Sequence, residues 1–222
     1  MPTQQDISTH YTHGNLVAAI RSGVESLGKT IDSVTVDDLA PVDEFHIGGR
    51  QASEHFIDQF GVTPDMHILD VGCGLGGPAR FVASRYRCRV DGVDLTPEYI
   101  ETGREICGWV GLNDRISLHQ GSALSMPFAD GAFDGAYMLH VGMNIEDKAV
   151  FGGSSRTAAR LAIWDIRCHE NGRRRADLSR AVGDDGRIEL RGGPGAIRQR
   201  AARGRFCGDC RTQSPRFRDH VL

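Results

Sequence analysis

The sequence predicts an α/β chain: a doubly wound, mostly parallel sheet whose C-terminal strands are missing or irregular. Three observations carry that expectation. Residues 67–78 run His-Ile-Leu-Asp-Val-Gly-Cys-Gly-Leu-Gly-Gly-Pro, an apolar stretch, an acid, then four glycines in six positions. From there to residue 166, short apolar runs alternate with segments of helical periodicity, the pattern of a parallel sheet with right-handed crossovers. Beyond that point the pattern fails and the charge inverts: residues 1–150 hold 10 Lys+Arg and 21 Asp+Glu, residues 151–222 hold 16 and 8, and all 16 of those bases are Arg.

The elements follow in order. Residues 15–28 have apolar positions at helical spacing, with Asn15 as N-cap and Gly28 as stop. A loop containing Pro41 comes next. Residues 50–60 form a second amphipathic helix ended by Gly61. Ile68, Leu69 and Val71 make the first buried strand, over 67–71. The glycines follow as a loop nearly free of side chains, whose backbone N–H groups can meet a ligand closely, and Pro78 opens a helix to about residue 85.

A second strand, 88–93, ends at Asp94. Thr96-Pro97-Glu98 supplies a cap, a first-turn proline and a first-turn acid for a helix to residue 109. A third strand spans 115–120, a loop carries Pro127 and Asp130-Gly131, and a fourth strand spans 134–139. Glu146 begins another helix, and 161–166 is a fifth strand. These elements divide the chain into an N-terminal helical segment (1–60), for which the resemblance described below implies a lid, a strand–helix core (61–166), for which it implies cofactor binding, and an Arg-rich irregular tail (167–222).

The N-terminus is polar and lacks the apolar region of a secretory leader, and no apolar run approaches the ~20 residues of a membrane span. The six cysteines are scattered, which fits reduced thiols and a cytoplasmic chain better than a disulfide framework.

Two templates fit the glycine loop. Gly72, Gly74 and Gly77 match the dinucleotide fingerprint G-x-G-x-x-G. Asp70, Gly72, Gly74 and Gly76 match acid-x-G-x-G-x-G, which resembles the first motif of class I S-adenosylmethionine-dependent methyltransferases. The acid separates the two. A carboxylate beside the loop opposes a diphosphate, whereas it suits the ammonium and sulfonium of S-adenosylmethionine. Asp94, at the carboxyl end of the second strand, can accept from ribose hydroxyls under either template.

Further segments strengthen the resemblance: Gly-Leu-Gly-Gly-Pro-Ala-Arg (74–80), Val-Asp-Gly-Val-Asp-Leu-Thr-Pro-Glu (90–98), residues 121–134, and His-Val-Gly-Met-Asn-Ile-Glu-Asp-Lys (140–148). They are similar to the Rossmann-like methyltransferases of small molecules, of the ubiquinone/menaquinone and sarcosine/dimethylglycine types. Asp-Glu-Phe-His-Ile-Gly-Gly (43–49) resembles a segment preceding the first motif in some members.

The resemblance implies S-adenosyl-L-methionine as cofactor and a small-molecule methyl acceptor; no metal site is assigned, the tail's few aromatics and lack of Lys argue against a nucleic-acid partner, and the alternatives are a non-catalytic cofactor-binding Rossmann module or an RNA-directed methyltransferase using the basic tail. It implies that Gly72, Cys73 and Gly74 line the methionine moiety, with Asp70 and Gly76 in the same motif. Asp94 and Leu95 would hold the ribose and one adenine face, and Ser122 and Ala123 the adenine edge, where many relatives carry an acid in place of Ser122. Leu139 and His140 would lie near the sulfonium, with His140 the candidate general base or, alternatively, a structural polar residue. His46, Tyr11, Met143 and Asn144 are lesser candidates for pocket lining.

Three readings of the tail stand side by side. Its arginines could bind phosphates, although it has no Lys and few aromatics. Cys207-Gly-Asp-Cys210 could hold zinc with Cys168, His169 or His220, but one C-x-x-C is a weak signal. The preferred reading is that residues 167–222 are not an evolved folding sequence: an excess of Arg, Gly and Ala is what a shifted frame of a GC-rich gene produces.

Overall fold

The computed structural model describes residues 14–44, 49–141, 144–145, 163–168, 174–178, 181–182 and 188–189. Three helices come first: α1 (Leu16–Ser26), α2 (Val36–Asp43) and α3 (Gly49–Ile57). Then β1 (His67–Val71), α4 (Gly77–Tyr86), β2 (Arg89–Asp94), α5 (Pro97–Trp109), β3 (Ile116–Gln120), β4 (Gly135–Leu139), β5 (Ile163–Cys168) and β6 (Arg174–Leu178) build one sheet with its helices. A separate two-stranded piece pairs β7 (Ala181–Val182) with β8 (Ile188–Glu189).

The sheet order is β3-β2-β1-β4-β5-β6, with β1 to β5 parallel and β6 antiparallel to β5. The chain steps outward from β1 to β3 and then returns to the other side of β1. The order therefore reverses between β1 and β4, and the crevice beyond their carboxyl ends is where such sheets bind ligands.

Side chains alternate between the two faces of the sheet. One face carries Ile68, Val90, Ile116, Leu118, Tyr137 and Leu139, packed under Ala79, Val82 and Ala83 of α4, Ile100 of α5 and Phe56 and Ile57 of α3. The other carries Leu69, Val71, Val93, Ala136 and Met138, covered by Phe133 and partly by Leu124, Met126 and Phe128 of the connection after β3. A third apolar cluster joins Leu16, Ile20 and Val24 of α1 and Leu39 and Val42 of α2 to Leu75 and Ile106.

The structure corrects the sequence reading at one place. The loop expected around Pro41 is a helix. Thr35 and Asp38 form a capping box at its start: the Asp38 N–H donates to the Thr35 hydroxyl at 3.3 Å, and the Asp38 carboxylate accepts the Thr35 N–H at 2.9 Å. Pro41 lies inside this helix, which forgoes the bond that an N–H at that position would give to the Asp37 carbonyl. At the sheet's far side β5 runs to Cys168 and β6 pairs antiparallel with it. The helix expected from Glu146 lies outside the described residues.

Among the described residues, no helix is long and apolar enough to cross a membrane. Cys73, Cys88 and Cys107 are free and buried.

Candidate functional site

The loop between β1 and α4 occupies the crevice. Gly72 has φ of +72°, and a Cβ there would lie 2.3 Å from Val141, just past the end of β4. Only glycine allows that backbone angle at such a close approach. The exit of β4, with His140 and Val141, is thereby pressed against the loop.

The loop's donors differ from the sequence expectation. The N–H groups of Gly72 and Cys73 donate to the carbonyl of Val93 at 2.7 and 3.1 Å, that of Gly76 to Cys73 at 2.8 Å, and that of Gly74 to Asp94 Oδ2 at 3.0 Å. Four of the loop's N–H groups are thus satisfied within the chain. What surrounds the loop instead is acid.

Asp70 lies wholly buried below the loop, and Tyr137, its register partner on β4, donates its hydroxyl to it at 3.1 Å. Burial pushes the Asp70 carboxyl up to about 8; the Tyr137 hydrogen bond works the other way, and the charges of Asp94 and Glu44 add to the rise. Asp94 accepts from Gly74 and, through Oδ1, from the Thr96 N–H at 2.9 Å. Burial raises its pKa too, against these hydrogen bonds. A carboxylate offers about four lone-pair sites, so Asp94 keeps acceptor capacity for a ligand.

The remaining candidates fall around this centre. Cys73 points inward: its Sγ would lie 2.8 Å from a Cβ at Gly92, so only its backbone faces the loop's outer side. Burial raises its thiol well above the ordinary value. Gly76 also faces inward, toward Leu118 and Arg80, and its left-handed backbone begins α4. Above Gly74, by contrast, nothing among the described residues lies within 4 Å of an added Cβ.

Leu95 is half-buried beside Asp94. The Ser122 hydroxyl accepts the Leu124 N–H at 3.1 Å, and Ala123 packs on the cluster behind β1 and β4. Leu139 is buried in the core at the end of β4. His140 follows it, half-buried, with φ of +57°, a left-handed conformation that is uncommon outside glycine and that marks strained functional segments. Asn144 is described, in a short turn whose N–H donates to Val141 at 2.8 Å. Tyr11, His46 and Met143, and the Cys207–Cys210 pair with His169 and His220, lie outside the described residues.

Sequence reasoning missed Glu44, Tyr137, Asp43 and Arg80. Glu44 is fully buried, bonded to the Arg50 guanidinium and to the Ser53 hydroxyl at 2.7 Å. Arg80 is buried in an ion pair with Asp43 at 2.6 Å; burial lifts the Asp43 carboxyl while the guanidinium opposes that rise. For Tyr137 the usable signal was register, which sets it directly beside Asp70. For the acids and Arg80 the usable signal was the pairing of an Asp-Glu step with the Arg after Gly-Gly-Pro-Ala.

A parallel sheet with a glycine loop at its switch point, acids beneath the loop and an acid at the end of the neighbouring strand defines the class I methyltransferase architecture. Residues 68–160 match the family described as methyltransferase domain. Among curated relatives it is 34% identical over 137 residues to a probable chloroplastic tocopherol O-methyltransferase of Oryza sativa subsp. japonica, covering 55% of this chain and 37% of that one. It is 36% identical over 115 residues to ajmaline N-methyltransferase of Rauvolfia serpentina, covering 47% and 40%. The chain thus spans less than half the length of either plant relative. Among solved structures, a geranyl diphosphate C-methyltransferase from Streptomyces coelicolor A3(2), complexed with S-adenosyl-L-homocysteine, superposes with a TM-score of 0.56 at 21% identity, over 75% of this chain and 66% of that one.

Proposed function

We propose that this chain is an S-adenosylmethionine-dependent methyltransferase that transfers a methyl group to a small-molecule acceptor. The observation that carries the reading is the acidic surround of a loop four of whose N–H groups are already bonded: Asp94 on Gly74, and Glu44, whose charges both raise the carboxyl of Asp70 beneath the loop. A cationic ligand relieves that field and a diphosphate aggravates it. Among the described residues nothing fills the space over Gly74, which gives such a ligand room.

Gly72, Cys73 and Gly74 would hold the methionine end through backbone, with Asp70 and Gly76 shaping the loop from below. Asp94 and Leu95 would hold the ribose and adenine, with Ser122 and Ala123 at the adenine edge. Bound there, S-adenosylmethionine supplies a methyl carbon activated by its sulfonium. The residues of the chain have to orient the acceptor, exclude water and, for an ammonium or phenol acceptor, take up its proton. His140 is our choice for that proton, because β4 delivers it beside the loop. The names of the relatives support a small-molecule acceptor, and the excess of 11 acidic charges in residues 1–150 opposes a phosphate backbone.

Calorimetric titration of the full chain with S-adenosylhomocysteine, NAD and NADP tests the cofactor. Binding of S-adenosylhomocysteine alone is expected, and NAD in its place would overturn the reading. Transfer of tritiated methyl to small-molecule rather than RNA pools then tests the acceptor class.

A further inference from the structure

Arg80 lies in the first turns of α4 with its side chain wholly buried. Its Nη2 donates to Asp43 Oδ2 at 2.6 Å, and its Nη1 to the carbonyl of Leu75 at 2.8 Å. The same Nη1 reaches the carbonyl of Gly103 and the Sγ of Cys107, each at 3.4 Å. Asp43 is the last residue of α2, Leu75 belongs to the glycine loop, and Gly103 and Cys107 belong to α5. One guanidinium therefore touches three separate elements.

Two other contacts join the same parts. The Leu75 side chain is fully buried in the apolar cluster of α1 and α2, with Ile20, Leu39 and Val42. Gly77 lies so close to α2 that an added Cβ would stand 2.4 Å from the Asp43 carbonyl and 2.7 Å from its Oδ1. The N-terminal helices thus rest on the loop itself, through an apolar plug, a backbone contact and an ion pair.

We propose that Arg80 is a positioning residue: its fork holds the Leu75 carbonyl with one arm and Asp43 with the other, so that the shape of the glycine loop depends on the docking of α1 and α2. Cofactor affinity and docking of these helices are then two sides of one coupling, and each strengthens the other by the same factor. The planar fork matters because a lysine ammonium is a point charge that does not span both partners. A buried ion pair contributes little net stability against an apolar substitute, so its role here is in geometry. The identity of the ligand rests on the methyltransferase reading; the coupling of helix and loop does not.

Hydrogen exchange on the full chain tests the coupling, in wild type, Arg80→Lys and Asp43→Asn. In the ligand-free wild type at low urea, the amides of α2 and of residues 72–77 are expected to open as one unit with a common urea dependence; independent openings would overturn the proposal. In either variant that folds, both segments are expected to exchange about tenfold faster while β3 and β4 keep the wild-type rate, and S-adenosylhomocysteine is expected to bind about tenfold more weakly. In the wild type, S-adenosylhomocysteine is expected to slow exchange in α2 as well as in the loop. Unchanged loop exchange and affinity in a folded Arg80→Lys would sink the coupling. A wild type that ignores S-adenosylhomocysteine while α2 and the loop still open together would sink the cofactor reading and leave the coupling standing.

Discussion

Asp70 is where residue chemistry makes the most specific demand. Burial holds its carboxyl at about 8, opposed by the Tyr137 hydroxyl and reinforced by Asp94 and Glu44, so it carries a proton at neutral pH. A ligand bringing positive charge to the loop favours the ionised form and expels that proton. Binding of S-adenosylhomocysteine, a zwitterion whose ammonium would be set beside Asp70, should therefore release protons at pH 7. Its affinity should climb from pH 6 to about 8, by at most about tenfold per unit, and then level. Titration heats at pH 7 should differ between phosphate and Tris; equal heats would mean that Asp70 does not feel the ligand. Asp70→Asn should flatten the pH profile. The sign for folding is the reverse: the folded pKa lies above the ordinary 3.8, so Asp70 favours the fold at low pH, and that contribution fades as pH rises through 8. His140 makes a separate demand. Asparagine tolerates the left-handed backbone that His140 adopts, so His140→Asn should keep the fold and the S-adenosylhomocysteine affinity. If His140 takes the acceptor's proton, turnover should fall about 100-fold or more. Unchanged turnover would assign His140 a structural role.

At the scale of elements, the alternation of strand and helix from residue 67 to 139 was legible because each strand is a short apolar run and each helix has its own punctuation. Pro78 and Pro97 sit in first turns, as their fixed φ favours. The helix α2 was not legible because Pro41, which removes an i→i−4 bond from a helix interior, outweighed the capping pair Thr35 and Asp38. Of the site, the glycines, Asp70 and Asp94 were legible from spacing alone. Tyr137, Glu44 and Arg80 were not, since each acquires meaning only from a partner far along the chain. The capping box supplies the test of α2. Thr35→Ala should cost about 1 kcal/mol in urea unfolding, and because α2 rests on the loop it should also weaken cofactor binding. Asp38 is held down to about 2, first by its hydrogen bond to Lys29 and then by those from Thr35. A depressed folded pKa gives stability above 3.8 that is lost as pH falls toward 2, so the cost of Thr35→Ala should shrink over that interval. A cost that stayed constant from pH 6 to 2 would detach Asp38 from the cap.

At the scale of the whole molecule, the open question is how much of the chain beyond residue 166 belongs to the fold. Charge and composition argue against it, with 16 arginines and little apolar periodicity in residues 151–222. Topology argues for a part of it: β6 pairs with β5 over five residue pairs, from Trp164 opposite Leu178 to Cys168 opposite Arg174, and covers an edge that would otherwise be open. Each net backbone hydrogen bond contributes about 1 kcal/mol, so losing this ladder should cost roughly 2–5 kcal/mol. For a chain of this size that corresponds to a fall in melting temperature on the order of 10 °C. A chain ending at Leu178 should therefore melt with the full-length protein, and one ending at Cys168 should melt earlier and associate through its exposed edge. If the chain ending at Cys168 instead melts with the full-length protein and stays monodisperse, β6 contributes nothing. The arginine-rich sequence would then stand outside the fold, as its composition alone suggests.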